Sequence, residues 1–159
     1  MRFSDQLEAK FQNLLSRYPV KRSALVPMLL FAQDEVGWLS PEVMVEIGRR
    51  LGLSQLQVEE VVSYYSMLRR QPAGRHHIQV CTNICCLLRG AELIWDHARK
   101  KLGIGHKQVS PDGLFSLEEV ECIGACAWAP ALQINYDYHQ EMTPEKFDRL
   151  IEELRKTRL

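Results

Sequence analysis

The sequence predicts an α+β protein in which an all-helical N-terminal unit precedes a unit built on a small mixed sheet. Three observations lead there. Helix caps and apolar residues at a spacing near 3.6 run through residue 65; after Gln71-Pro-Ala-Gly-Arg75 the apolar period changes toward 2; and all five cysteines fall beyond that change, in two short stretches at the ends of strand-like segments. The Pro/Gly-bearing stretch marks the boundary, giving domains at 1–72 and 73–159.

Residues 5–17 carry Leu7, Phe11, Leu14 and Leu15 on one helical face. A second helix is expected from a Ser23 cap, with Leu25, Met28, Leu29, Ala32 and Val36 turned inward and Gly37 as its stop. Ser40-Pro41-Glu42 places a cap before a proline in the first helical position, opening a third helix that closes at Gly52. Ser54 and Gln57 fit a capping box ahead of Leu56, Val58, Val61, Val62 and Tyr65. Tyr64, Tyr65 and Met67 are expected to pack within the helical unit.

In the second unit His76–Val80 reads as a strand delivering Cys81, with His76 and His77 solvated at its start. One helix is expected to follow, with Leu87, Ala91, Ile94, Ala98 and Leu102 on a single face and Gly103 as its stop. An Asp112-Gly113 turn leads into a strand over Leu114–Val120 that delivers Cys122. Ala131–Asn135 and Tyr138–Glu141 are shorter strands joined at Tyr136-Asp137, and Thr143-Pro144-Glu145 opens a last helix striped by Phe147, Leu150, Ile151 and Leu154. Trp128 is expected in the core.

The cysteines form Cys81-x4-Cys86, then 35 intervening residues, then Cys122-x3-Cys126, with Cys85 supernumerary. Four thiolates from two loops is a metal-binding count. A [2Fe-2S] cluster needs two thiolates on each iron, which one loop per iron supplies; structural zinc accepts the same four sulfurs, although its knuckles favour two-residue gaps. Buried free thiols and a disulfide framework are the remaining readings, and the second needs an oxidising compartment, whereas Met1-Arg-Phe-Ser-Asp-Gln leads into a charged amphipathic pattern and not into a signal peptide. Lys+Arg and Asp+Glu both number 20, so no basic field suggests nucleic acid. No stretch approaches the roughly 20 apolar residues that span a bilayer. There is no C-x-H pair for a Rieske-type arrangement, and no C-x-x-C for a dithiol oxidoreductase, although Cys85-Cys86 could be redox-active.

Val80-Cys81-Thr82, Cys86-Leu87-Leu88-Arg89-Gly90-Ala91, Val120-Glu121-Cys122-Ile123-Gly124-Ala125-Cys126, Ala129-Pro130 and Gln133-Ile134-Asn135 together resemble the thioredoxin-like [2Fe-2S] ferredoxin subunit of respiratory complex I, the E subunit of NADH:quinone oxidoreductase. Ala32-Gln33-Asp34 with Gly37, and Ser63-Tyr64-Tyr65, extend the resemblance into the helical half. It implies a thioredoxin-like second domain, a [2Fe-2S] cofactor and ligation by Cys81, Cys86, Cys122 and Cys126. Cys85 departs from the family pattern; Cys86 preserves the x4 gap. The resemblance also implies a one-electron carrier in the NADH dehydrogenase module, an oxidoreductase by membership of its complex and without catalytic residues of its own. Its partners would be an FMN- and NADH-binding flavoprotein and the other subunits of that module, with no nucleic acid and no direct membrane insertion. The expected location is cytoplasmic, peripheral to the inner membrane through the complex. Related NAD-linked hydrogenase or formate dehydrogenase modules use a similar subunit, and a structural zinc module is the reading of a different class. Gly90 and Gly124 are expected where backbone N–H groups approach the sulfurs, and Ala129-Pro130 is expected to be cis, as thioredoxin-like folds commonly have before a strand.

Overall fold

The computed structural model describes residues 2–156; Met1 and residues 157–159, the outer ends of the two expected domains, lie outside the described residues. The chain divides into two compact units, Met1–Pro72 and Ala73–Leu159, each with its own hydrophobic core. Among the described residues no helix is long and apolar enough to cross a membrane.

The first unit consists of α1 (Asp5–Arg17), a 3-10 turn (Lys21–Ala24), α2 (Leu25–Val36), α3 (Pro41–Leu51) and α4 (Gln55–Tyr64). Caps act where short-range chemistry places them. Ser40 accepts from the Val43 N–H ahead of α3, and Ser54 and Gln57 form a reciprocal capping box on α4. Ser23 does not cap α2: it lies inside the 3-10 turn, and the Leu25 N–H is already taken by the Arg22 carbonyl, so no side-chain acceptor is needed there. Phe11, Met28, Leu29, Leu39 and Ile47 are fully buried. The Gln33 amide donates to the Met67 carbonyl and accepts from the Arg69 N–H, fastening the segment after α4 onto α2.

Tyr64, Tyr65 and Met67 are exposed, against the expectation that they pack, and Leu56 is exposed as well. Val58 and Val62 fill the inward face of α4. At about 100° per residue, Leu56 and Tyr64 each stand two residues, about 200°, from one of those valines.

Glu46 on α3 is buried and accepts from Arg49 and, at 2.8 Å, from Arg50, whose guanidinium also reaches Glu8 of α1 at 2.7 Å. The Arg49 hydrogen bond, with that of Arg50, overcomes burial and holds the Glu46 carboxyl down to about 2. A carboxyl depressed in the folded state stabilises the fold above its unfolded value near 4.5, and the contribution is lost as pH falls toward 2. Glu46→Gln is therefore expected to lower unfolding free energy at pH 7 by on the order of 2 kcal/mol, the shift being discounted for the exposure of Arg49. The gap between variant and wild type should close by pH 2 in urea titrations followed by helical circular dichroism. A gap that stays constant between pH 7 and 2 would contradict this role.

The second unit runs β1 (His76–Cys81), α5 (Ile84–Leu88), α6 (Ala91–Leu102), β2 (Gln108–Val109), β3 (Phe115–Val120), β4 (Leu132–Ile134), β5 (Asp137–His139) and α7 (Pro144–Lys156). The sheet order is β2-β3-β1-β4-β5, with β1 and β3 parallel and every other pair antiparallel. Ile78, Val80, Phe115, Leu117, Leu132 and Ile134 form a core with Ile94 and Ala98 of α6 and Phe147 and Ile151 of α7. At Gly74 an added Cβ would stand 2.3 Å from the Phe115 main chain, so the chain can enter β1 this close to β3 only without a side chain.

Four expectations are corrected here. The single helix after Cys81 is two, because Gly90 takes φ 91° and turns the axis between α5 and α6; Cys86, not Leu87, then faces inward. The final hairpin turns one residue earlier, at Asn135-Tyr136, with Asn135 at φ 56° and Ile134 paired to Asp137. His77 is buried, its ring 2.8 Å from the Ser116 hydroxyl and 3.1 Å from the Glu118 carboxylate, while His76 is half-buried against the Phe115 ring. Burial pushes the Glu118 carboxyl up, but hydrogen bonds from His77 and Gln79 and the charge of Lys107 outweigh it and hold the group below its ordinary value. The fourth correction concerns Trp128, which is exposed.

Candidate functional site

The parallel pairing of β1 and β3 is what brings the two cysteine loops together. Cys81 ends β1 opposite Val120, two residues before Cys122, so both loops leave the same end of the sheet. The Thr82 N–H donates to the Val120 carbonyl and the Cys81 N–H to Ala131, fastening the first loop to β3 and to the residue ahead of β4. Asn83 caps α5 by accepting from the Ile84 N–H, and this one-turn helix presents Cys85 outward and Cys86 inward.

The second loop is a 3-10 turn over Cys126–Trp128, closed by the Trp128 N–H on the Ala125 carbonyl, followed by a cis Ala129-Pro130 bond as expected. The Tyr138 hydroxyl on β5 donates to the Ile123 carbonyl at 2.9 Å and anchors the loop from the side; nothing in the local sequence marks this tyrosine, because its partner lies 15 positions away. Gly124 stands at φ 81° and its N–H points at the Cys122 sulfur from 3.3 Å. An added Cβ at Gly90 or at Gly124 would meet nothing within 4 Å. Their requirement is thus the left-handed backbone, not room, and only Gly124 brings an N–H to a sulfur.

Cys81 and Cys86 are buried in a shell of Ala91, Ala125, Ala129 and Ala131, while Cys122 and Cys126 are exposed 4.0 Å apart. Burial pushes the Cys86 thiol up to about 11, and the neighbouring Cys81 and Cys126 sulfurs add to it. Hydrogen bonding with Cys122, then the charges of Cys122 and Cys85, push Cys126 up as well. These cross-influences run between the loops, joining Cys86 of one to Cys126 of the other. Among the described residues no three or more His, Cys, Asp or Glu side chains are gathered as a ready single-ion site; the thiols stand as pairs.

Two thiol pairs from two loops at one end of a mixed sheet supply the donor set of a metal centre, a zinc ion or a metal-sulfur cluster. Kinship makes this specific: residues 11–155 match the thioredoxin-like [2Fe-2S] ferredoxin family, and the chain belongs to it. It is 40% identical over 140 residues to the E 2 subunit of NADH-quinone oxidoreductase from Rhizobium meliloti, covering 88% of this chain and 83% of the relative. NADH-quinone oxidoreductase subunit 2 of Thermus thermophilus is 39% identical over 98% of this chain and 87% of its own. The E subunit of the same oxidoreductase from Rickettsia bellii is 41% identical over 91% of this chain and 88% of its own. Among solved structures, an NAD+-reducing [NiFe]-hydrogenase in the H2-reduced state superimposes with a TM-score of 0.75 at 20% identity over 84% of this chain and 22% of that one, a likeness of fold.

The cofactor is accordingly a [2Fe-2S] cluster, which decides between the cluster and the zinc ion that the cysteine count left open. The donor set fits. Two sulfurs on one tetrahedral ion with bonds of about 2.3 Å stand about 3.8 Å apart, close to the 4.0 Å between Cys122 and Cys126 and far from the roughly 2 Å of a disulfide.

Proposed function

We propose that the chain is the one-electron carrier of the NADH dehydrogenase module of NADH:quinone oxidoreductase, with Cys81 and Cys86 holding one iron and Cys122 and Cys126 the other. The observation that carries this is kinship along nearly the whole chain, helical unit included, to proteins named as subunits of that complex. The equivalent place in an NAD-linked hydrogenase rests only on likeness of fold.

When bound, the cluster supplies a site that takes and gives single electrons. The chain's residues do the rest. The alanines around Cys81 and Cys86 exclude water from one side of the cage, and dryness and hydrogen bonding around sulfur ligands are what set a cluster's potential. Gly124 offers its N–H to the Cys122 sulfur. Tyr138 and the main-chain bonds of Thr82 and Cys81 hold the two loops at fixed separation. None of these groups acts as acid, base or nucleophile, so oxidoreductase activity belongs to the assembly. The partner in this reading is an FMN- and NADH-binding flavoprotein, and the chain sits on the cytoplasmic side, attached to the inner membrane through the complex.

Protein purified anaerobically is expected to contain about two irons and two acid-labile sulfides per chain, with a rhombic electron-spin signal appearing only after one-electron reduction. Stoichiometric zinc without sulfide would overturn the reading.

A further inference from the structure

The sheet is left open at β5. Strand order puts β5 at the edge, paired among the described residues only with β4. The two-residue Asn135-Tyr136 turn closes on the Ile134–Asp137 pair, so in an antiparallel ladder Asp137 and His139 exchange hydrogen bonds with β4 while the main-chain groups of Tyr138 face away from it. Outward groups of this kind are a template for another strand.

Beside this edge lies a groove of about 380 Å3 lined by Tyr138, Gln140 and Met142 on the strand side and by Lys146, Arg149 and Leu150 on the helix side. The helix residues fall at the spacing of one face of α7. Its floor is apolar at Met142, which is buried, and at Leu150, which is partly buried. Its wall is cationic. The Lys146 ammonium donates to the Glu141 carbonyl at 2.8 Å and keeps two further donors. Glu153, one turn beyond Arg149, is the single carboxylate among the described residues of the lining.

We propose that this groove binds an extended acidic peptide segment of a partner polypeptide, added as a further strand along β5 beneath α7. Main-chain bonds to Tyr138 and Gln140 would supply sequence-independent affinity, alternate side chains would enter the apolar floor, and Lys146 with Arg149 would select carboxylates over ammonium groups. The proposal stands apart from the cluster assignment and uses no cysteine.

The probe is a fluorescein-labelled hexapeptide alternating valine and glutamate, with a valine–lysine hexapeptide as its counterpart, titrated into the full-length cluster-loaded chain by anisotropy. The acidic peptide is expected to bind at least about tenfold more tightly than the basic one, and reversing both charges with Lys146→Glu and Arg149→Glu should invert the preference, the change expected for two partly exposed charges. Hydrogen exchange read by NMR should show the Tyr138 and Gln140 amides slowed by the acidic peptide. Equal binding of the two peptides, no binding, or unchanged exchange at those amides would each overturn the proposal. So would light scattering that shows a dimer whose own contact slows the same amides without peptide, since the occupant would then be a second copy of the chain.

Discussion

Cys86→Ser is expected to yield protein that retains its helical content but holds almost no cluster, while Cys85→Ser yields protein coloured like the wild type. The two thiols are neighbours in sequence and opposite in environment. Cys86 is 2% exposed, set in the alanine shell beside Cys81, and Cys85 faces outward from the same turn of α5. A serine in the buried place would offer an alcohol where the shell favours neutral groups: the thiol there is already held up at about 11. An alcohol is a far weaker acid than a thiol and gives an anionic ligand less readily. Iron per chain should fall from about two toward zero in Cys86→Ser, with the same loss on replacing Cys81, Cys122 or Cys126. In this register Cys85 is not a ligand and faces outward, so its replacement should leave iron content and the visible spectrum as they are. Iron analysis, visible absorption and far-ultraviolet circular dichroism on the same samples separate ligand loss from unfolding. Bleaching by Cys85→Ser with retention in Cys86→Ser would move the ligand register by one residue.

The gathering of the thiols was legible because its signal is local and chemical. Five cysteines in two short stretches, each at the end of a strand-like run, say where thiols gather whatever the rest of the chain does. Helix ends were legible for the same reason: Ser40 with Pro41, Ser54 with Gln57, and Gly37, Gly52 and Gly103 act within a turn of themselves. The α2 start escaped because a 3-10 turn substitutes for a cap, and both arrangements leave serine near the right place. The two-residue β2 pairs antiparallel with β3 through the Gln108–Leu117 and Val109–Ser116 positions; so short a strand has no period to read.

Burial was the less legible quantity. Tyr64, Tyr65, Met67 and Trp128 are apolar enough for a core, yet the cores of the two units are filled without them. Composition cannot tell a side chain needed inside from one left over. His77 is the converse case. A histidine beside another histidine at a strand start reads as solvated, but the β1–β3 register sets it against Ser116 and Glu118, which come from 39 and 41 positions further along. Only tertiary pairing reveals such a partner.

The chain expressed alone, cluster loaded, is expected to show no NADH:ferricyanide reductase activity above a buffer blank and to gain it only with an FMN- and NADH-binding flavoprotein. NADH gives up a hydride, which carries two electrons, and one [2Fe-2S] cluster takes one; a flavin between them divides the pair. The sequence has no G-x-G-x-x-G after a strand and no phosphate-cradling P-loop. The groove at β5 and α7 is an open cleft along a strand edge. The cage itself points the same way: Cys122 and Cys126 are exposed while Cys81 and Cys86 are buried, so one side of the cluster site lies at the surface. Trp128 and Leu88, both exposed, belong to the loops that carry these cysteines. Reconstitution should therefore be measured in three arms: the chain alone, the flavoprotein alone, and the two together, with cluster reduction by NADH followed by electron-spin resonance. NADH should reduce the cluster only in the third arm. Reduction in the first arm, accompanied by flavin that co-purifies with this polypeptide, would place the hydride chemistry in the chain itself.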